Sequence, residues 1–275
     1  MASLPTDAVL SSRSGRVKAA RRLARRVSRA ETRLFLAEGP QAVREALTVA
    51  GCVAEVFAVA EAAASHPQIR SAAAAGGVRW HIVDAAGLAS LAGTPHPQGL
   101  VAVCRFLDRP LGDVLTESSK LVTVCADVRD PGNAGTVLRC ADAVGADAVV
   151  LTGSSVDPYN GKAVRASAGS LFHLPLVIDP DTIAVLAALK QRGMTVLAAD
   201  GAGELGLDDA IDDGLLRQQT AWLFGNEAWG LPGEIAEMAD HRVAIPLHGR
   251  AESLNLATAA AVCLYASARV HRRAG

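Results

Sequence analysis

Aromatic side chains make up only 4% of this chain, and its 275 residues include three methionines and five cysteines. With so few rings, a core must be filled by alanine, valine and leucine, as in helix-rich α/β proteins. The cysteines, at 52, 104, 125, 140 and 263, are scattered, odd in number and show no CxxC spacing. That excludes a disulfide frame or zinc ribbon and fits small buried thiols in a reducing compartment. The seven histidines form no HxxxH or HExxH pattern, so no metal site is expected. No run of about 18 or more uncharged apolar residues is present, which argues against a membrane span. The N-terminus is polar and then basic, without the apolar stretch of a signal peptide, and a cytoplasmic location is expected.

Half the residues are apolar and a fifth are charged, as in an ordinary folded protein with one large or two modest cores. The net charge of −1 hides an asymmetry. In residues 1–33 nine basic side chains face only Asp7 and Glu31, a net +7 that leaves −8 for the rest. Lys18, Arg21, Arg22, Arg25, Arg26 and Arg29 recur at helical spacing opposite Val17, Ala20, Ala24 and Val27. A solvated helix face would mix signs. A stripe of mostly arginine suits phosphate oxygens, so Arg16, Arg22, Arg25, Arg26 and Arg29 are candidate nucleic-acid contacts, with an anionic membrane surface or plain solvation as the alternatives. So dense a charge suggests that this segment is not ordered without a polyanionic partner.

Beyond it, "LFLAE", 52–60, 78–84 and 99–106 read as strands with alanine-rich helices between them, a small α/β unit over 34–107. Residues 108–120 are polar and carry Pro and Gly, which marks a linker. From 121 the pattern alternates regularly. Apolar strands at 121–126, 147–151, 174–178, 195–199, 221–224 and 241–245 are separated by helices, and a long helix closes the chain over 254–273. This predicts a parallel sheet covered on both faces, with ligands bound at the carboxyl ends of the strands.

Three of the loops at those ends carry chemistry. Asp130-Pro131-Gly132-Asn133-Ala134-Gly135 opens a helix that contains Arg139. Asn133 is either an N-cap or a site residue, and Arg139 either an exposed helix arginine or a group facing the same crevice. "LFGNEAWGLP" (223–232) holds Leu223, Gly225, Asn226 and a lone acid, Glu227, among glycines that permit close backbone approach. "IPLHGRAESLN" (245–255) brings Ile245, Pro246, Ser253, Leu254 and Asn255, with Ser253 a candidate cap for the last helix. A fourth segment, 157–175, adds Asn160, Lys162 and Arg165. Gly201-x-Gly203-x-x-Gly206 fits a dinucleotide fingerprint, but the short acid-rich stretch after it denies pyrophosphate a clean helix start.

Asn133 to Arg139, Phe224-Gly225-Asn226-Glu227 through Gly230, and Ile245-Pro246 through Ser253-Leu254-Asn255 resemble, in order and strand context, three signature motifs. They are those of the SpoU family, RNA ribose 2′-O-methyltransferases of the SPOUT superfamily. The first part, with "LAEGPQAVREAL" and "HPQGLVAV", is similar to that family's ribosomal-protein-like substrate-binding domain. The resemblance implies an α/β chain with a knotted parallel-sheet SPOUT domain over 121–275, its C-terminal segments threading a deep trefoil knot. It implies S-adenosyl-L-methionine bound near Gly225, Asn226, Ile245, Pro246 and Leu254, with Leu223, Thr152 and Gly153 close by. Arg139, Asn133, Glu227, Ser253 and Asn255 would form the catalytic group, and Arg165 would contact substrate phosphate. A homodimer through the knotted region and last helix follows, with Leu256, Ala260, Cys263 and Leu264 compatible with that interface or with an internal core. Large-subunit ribosomal RNA is the expected substrate. Transfer RNA and a non-catalytic RNA-binding role are the alternatives.

Overall fold

The computed structural model describes residues 9–274, which fall into two compact units. One comprises Met1–Leu107 with Asp157–Phe172, the other Asp108–Val156 with His173–Gly275.

The first unit is built on four strands: β1 (Leu34–Glu38), β2 (Val53–Ala58), β3 (Arg79–Ile82) and β4 (Leu100–Arg105). Their order is β1-β4-β2-β3, with β4 antiparallel to both neighbours and β2 parallel to β3. The basic segment is part of this unit and is ordered as two short helices, Gly15–Arg21 and Arg26–Thr32, joined by a single turn over Arg22–Ala24. A continuous helix is interrupted because Arg25 is extended (φ −94°, ψ 134°). Val17, Ala20 and Leu23 are buried against Phe57, Val101 and Val103, and this anchorage overrides the mutual repulsion of the arginines. Val27, expected on the apolar face, is instead 67% exposed.

Arg29 departs from its expected role as an RNA contact. Its side chain is buried, with Nε donating to Asp157 Oδ2 at 2.8 Å and Nη1 to the carbonyls of Leu23 and Ala24 at 2.9 Å each. A guanidinium spent in this way fastens the 157–172 segment and caps the turn before it. Rings reinforce the attachment. Tyr159 stacks on Phe106 at 3.9 Å between centroids and meets Phe35 at 4.8 Å, while Phe172 lies 6.1 Å from Phe35. The Tyr159 hydroxyl accepts the Leu107 N–H at 2.7 Å. Four of the chain's ten aromatics are thus concentrated at one junction.

The second unit is a seven-stranded sheet ordered β7-β6-β5-β10-β8-β11-β9. The strands are β5 (Leu121–Ala126), β6 (Ala148–Thr152), β7 (Leu176–Asp179), β8 (Thr195–Ala199), β9 (Leu205–Gly206), β10 (Thr220–Phe224) and β11 (His241–Ala244). Every pairing in it is parallel. Each residue of β5, β6 and β10 is buried, as expected of central strands covered on both faces. Residues 108–120 do not form a free polar linker, because Val114 and Leu115 enter the core of this unit beside Val122 and Ala148. The last helix, Leu256–Ala274, buries Ala260, Cys263 and Leu264 and packs beside the helix Pro131–Val144. Trp222 donates its indole N–H to Ser267 on that helix at 2.9 Å.

Replacing Arg29 by Ala strands the Asp157 carboxylate and is expected to cost about 3 kcal/mol or more. Arg25→Ala, at an exposed position, should stay within about 0.5 kcal/mol of the wild type. Urea unfolding of the two variants checks this. An Arg29→Ala protein of unchanged stability but weakened RNA affinity would return Arg29 to the RNA surface.

Candidate active site

The carboxyl ends of β5, β10, β8 and β11 carry the site, and each contributes through the loop that follows it. After β5 the chain turns through Asp127 (φ 56°) and enters the helix Pro131–Val144. Asp130, not Asn133, is the N-cap, since its Oδ1 accepts the Asn133 N–H at 2.9 Å with Pro131 at the first helical position. The Asn133 side chain is therefore left for other partners.

Those partners come from the other two loops. Glu227, after β10, accepts the backbone N–H groups of Arg129 at 3.1 Å and Asp130 at 3.0 Å, and the Asn133 amide at 3.1 Å. Asn133 Oδ1 in turn accepts from Asn255 Nδ2 at 3.1 Å. Asn255 Oδ1 accepts the N–H of Ala257 at 2.9 Å and of Thr258 at 3.3 Å, so Asn255, rather than Ser253, caps the last helix. Asn226 is buried and donates to the Asp127 carbonyl at 2.7 Å, while its backbone pairs with Gly230. A β-carbon on Gly225 would lie 2.4 Å from the Gly230 carbonyl carbon, so only glycine lets this loop close on itself. One chain of polar contacts, Asn255–Asn133–Glu227, joins three segments distant in sequence.

Beside it a cavity of about 690 Å³ opens between the ends of β8, β10 and β11. Gly225, Asn226 and Glu227 line one side, and Ile245, Pro246, Ser253 and Leu254 another. Asp200 and Gly201, after β8, form a third wall. Sequence reasoning passed over these two because they lie in the glycine-rich stretch examined only as a dinucleotide fingerprint. The available signal was their place after a strand next to β10. That stretch fails as a pyrophosphate site: a β-carbon on Gly203 would meet the Arg242 carbonyl oxygen at 2.5 Å, and the helix after Gly206 has Asp208 and Asp209 in its first turn.

Three residues expected at the cofactor do not line this cavity. Leu223 is fully buried in the core of the sheet. Thr152 is buried at the end of β6, where its hydroxyl accepts from Thr182 at 2.9 Å. Gly153 turns (φ 63°) so that an added β-carbon would lie 3.0 Å from the Asp127 carboxylate. Thr152 ends β6 and Gly153 follows it, β5 separates β6 from β10, and this end shapes the Asp127 turn: Ser154 donates its N–H to Asp127 Oδ1 at 2.8 Å. Arg139 is exposed and is not among the cavity's lining residues. Six residues beyond Asn133, it points about 120° around the helix from it. In the first unit, Arg16 pairs with Glu55 at 2.9 Å, and Arg22, Arg25 and Arg26 are exposed. Arg165 faces Glu38 at 3.3 Å.

Burial raises the Glu227 carboxyl, but hydrogen bonds from Arg129, Asn133 and Asp130 outweigh it and hold the group below its usual range. It is a carboxylate at neutral pH that organises donors. Burial pushes the nearby Cys125 thiol to about 12, with the Glu227 charge adding to the rise, so no thiolate is available here. No group of three His, Cys, Asp or Glu able to hold a metal is found among the described residues.

A doubly covered parallel sheet with three interlocked loops around a cavity at its carboxyl edge defines an α/β enzyme domain of the small-ligand-binding class. Residues 120–265 match the SpoU rRNA Methylase family and residues 15–102 an MRM3-like substrate binding domain. The chain is 32% identical to the 23S rRNA (guanosine(2553)-2'-O)-methyltransferase RlmP of Bacillus subtilis, over 93% of this chain and 96% of that one. It is similar to the AdoMet-bound rRNA methyltransferase of Sinorhizobium meliloti, with a TM-score of 0.80, 30% identity and coverage of 95% and 98%. The SpoU methyltransferase AviRb of Streptomyces viridochromogenes, in complex with AdoMet, gives a TM-score of 0.81 at 28% identity, with coverage of 96% and 100%. The chain belongs to the SpoU rRNA Methylase family. The 157–172 segment lies within the stretch matched to the methylase but folds with the first unit.

The depressed pKa of Glu227 fixes the sign of a pH effect. Its contribution to stability is present above the ordinary glutamate range and is lost as pH falls through the lower folded-state value. Glu227→Gln should remove that part of the acid limb, flattening the thermal midpoint of the variant relative to wild type below about pH 5. Parallel curves would mean the carboxylate contributes nothing to this dependence.

Proposed function

We propose that this protein methylates a ribose 2′-hydroxyl of 23S ribosomal RNA using S-adenosyl-L-methionine. The observation that carries the reading is the interlock of Asn133, Glu227 and Asn255 beside a cavity at the carboxyl edge of β8, β10 and β11. It is an S-adenosyl-L-methionine-dependent RNA 2′-O-ribose methyltransferase, in accord with its family and with the AdoMet-bound structures it resembles. The named 23S rRNA relatives support ribosomal over transfer RNA.

The cavity suits that cofactor. Apolar walls from Phe224, Ile245 and Leu254 fit a flat heterocycle, and the acids Asp200, Glu227 and Glu252 favour a cation. When bound, the cofactor supplies a methyl group already activated by its sulfonium charge. Gly225, Asn226, Ile245, Pro246 and Leu254 would hold it, with Asp200 and Gly201. Asn133 and Asn255, fixed through Glu227, border the place of reaction and orient what enters it. Ser253, on the wall of the same cavity, adds a hydroxyl.

Arg139 is the group that acts on the acceptor nucleotide. A guanidinium stays protonated in a protein, so its task is to hold the ribose hydroxyl or its neighbouring phosphate in line. Being outside its own chain's cavity, it completes the site of a second subunit in a homodimer. The last helix supports such an assembly. Its buried face, with Ala260, Cys263 and Leu264, is used internally, while Thr258, Val262, Tyr265 and Arg269 form an exposed stripe at four-three spacing. The knotted threading of the segments after β10 belongs to the same proposal, on the likeness to the SPOUT fold. RNA is held by Arg22, Arg25 and Arg26 of the first unit, with Arg16 at their edge. Among the described residues no helix is long and apolar enough to cross a membrane.

Labelled S-adenosyl-L-methionine with unmethylated RNA tests the reaction. Wild type should label 23S rRNA at one alkali-resistant linkage, and Arg139→Ala should lose at least about 100-fold in rate while binding the cofactor normally. Label in transfer RNA alone would overturn the substrate, and no label at all would favour a binding protein. Tyr265→Arg should convert the dimer into a monomer by light scattering and lower activity with it. An active monomer would place Arg139 in its own chain's site.

A further inference from the structure

A second, smaller cavity of about 260 Å³ lies wholly within the first unit, lined in part by Glu38, Gln41, Thr94, His96, Gln98 and Arg165. Its floor is the Glu38 carboxylate, whose side chain is only 9% exposed. Glu38 accepts from the Gly93 N–H at 3.0 Å, from Arg165 at 3.3 Å and from the Thr94 hydroxyl. The backbone around it is strained and close-fitting. Ala168 takes a left-handed conformation (φ 50°) that a residue with a β-carbon seldom adopts, and Gln41 Nε2 holds its carbonyl at 2.9 Å. Gly39 (φ 96°) lies where a β-carbon would sit 2.8 Å from Gln98 Oε1, and one on Gly93 would sit 2.7 Å from Arg165 Nη1. A side chain at either position would have to displace the end of Gln98 or Arg165, and at Gly39 it would also have to adopt a positive φ.

The charge arrangement decides what such a socket takes. A phosphate anchor presents unopposed positive charge. Here the guanidinium of Arg165 is matched by the buried carboxylate of Glu38, which would repel a phosphate. What remains is a neutral recess with two amides, an imidazole, a hydroxyl and an ion pair around apolar patches from Ala42 and Val164. Nucleobases have that complementary character: a flat apolar body edged by donors and acceptors, which amide side chains read in pairs. The volume is below the range of about 300–1,000 Å³ typical of whole small-molecule ligands, so it suits a single base or nucleoside.

We infer that the Glu38–Arg165 socket binds one unstacked nucleobase of the RNA substrate, and so sets which RNA is presented for methylation. This rests on the proposed function for the identity of the RNA, but not for the binding itself. Arg165 then serves as a base-reading group held by Glu38, in place of the phosphate contact expected from the sequence.

The test uses the full chain with excess S-adenosylhomocysteine, so that nucleosides cannot register at the large cavity. Equilibrium dialysis with labelled adenosine, guanosine, cytidine and uridine should show saturable binding of one of them, unaffected by inorganic phosphate. That binding should be lost in the double variant His96→Ala/Gln98→Ala, whose circular dichroism and cofactor affinity remain those of wild type. With 23S rRNA as substrate, the same variant should raise KM for RNA about tenfold with kcat and KM for the cofactor unchanged. Displacement by phosphate, or binding equal in variant and wild type, overturns the socket, as does the absence of saturable binding by all four nucleosides. Nucleoside binding without any change in KM for RNA would assign the socket to a free nucleoside and overturn its RNA role. If the protein methylates no RNA, the dialysis result still stands or falls by itself, so the two readings fail separately.

Discussion

The carboxylate of Glu227 is the tie on which the geometry of the catalytic unit depends. It takes two backbone N–H groups at the mouth of the helix Pro131–Val144 and the Asn133 amide. A helix start has unsatisfied N–H groups and a positive dipole end. An acid from a neighbouring strand end satisfies both and in doing so fixes the distance between β5 and β10 loops. Because the carboxylate is consumed in this way, it is depressed in pKa and poorly suited to accept a proton. In the proposed reaction its contribution would be preorganisation, transmitted through Asn133 to Asn255.

Every strand but β9 was legible in the sequence to within two residues, because apolar runs bounded by Gly, Pro and Asp carry a strong local signal; β9, two residues in a glycine-rich stretch, has no such run. The fold as an α/β chain of SPOUT type was legible too, through three motifs in register. What escaped depends on where side chains point and on contacts between distant residues. Asp130 was passed over as a cap in favour of Asn133, although both suit the position, since only the structure shows Asn133 engaged by Glu227. For the same reason the capping role open to Ser253 falls to Asn255, which also reaches Asn133, while Ser253 lines the cavity. Arg29 read as one more member of a basic stripe. Nothing within residues 1–33 announces that Asp157 will bury its charge.

Burial of that charge explains why the segment after β6 folds away from the unit in which its neighbours in sequence lie. Leaving the second unit after Val156, the chain meets Asp157 and Tyr159, which find Arg29 and the ring of Phe106. It returns after Phe172, whose ring lies by Phe35. The scarcity of aromatics makes this concentration informative. A chain with only ten rings places four of them at one junction, where their large apolar area offsets the entropy of tying down an excursion. The excursion carries Arg165 to Glu38, so the socket in the substrate-binding unit is made partly from residues the methylase segment supplies.

Charge divides the labour further. Residues 1–33 hold a net +7 and the rest of the chain −8, so the bulk of the protein repels a polyanion. An acidic surround suits a cationic methyl donor, since Asp200, Glu227 and Glu252 lie along its cavity. The proposed RNA contacts are concentrated where the arginines are. At physiological ionic strength their reach is limited to roughly 8 Å. In the proposed role they would hold RNA backbone strongly only where it passes close, and would carry no sequence information in doing so. On the proposed reading selectivity falls to a neutral site that reads a base, the role we propose for the socket at Glu38 and Arg165 in the first unit.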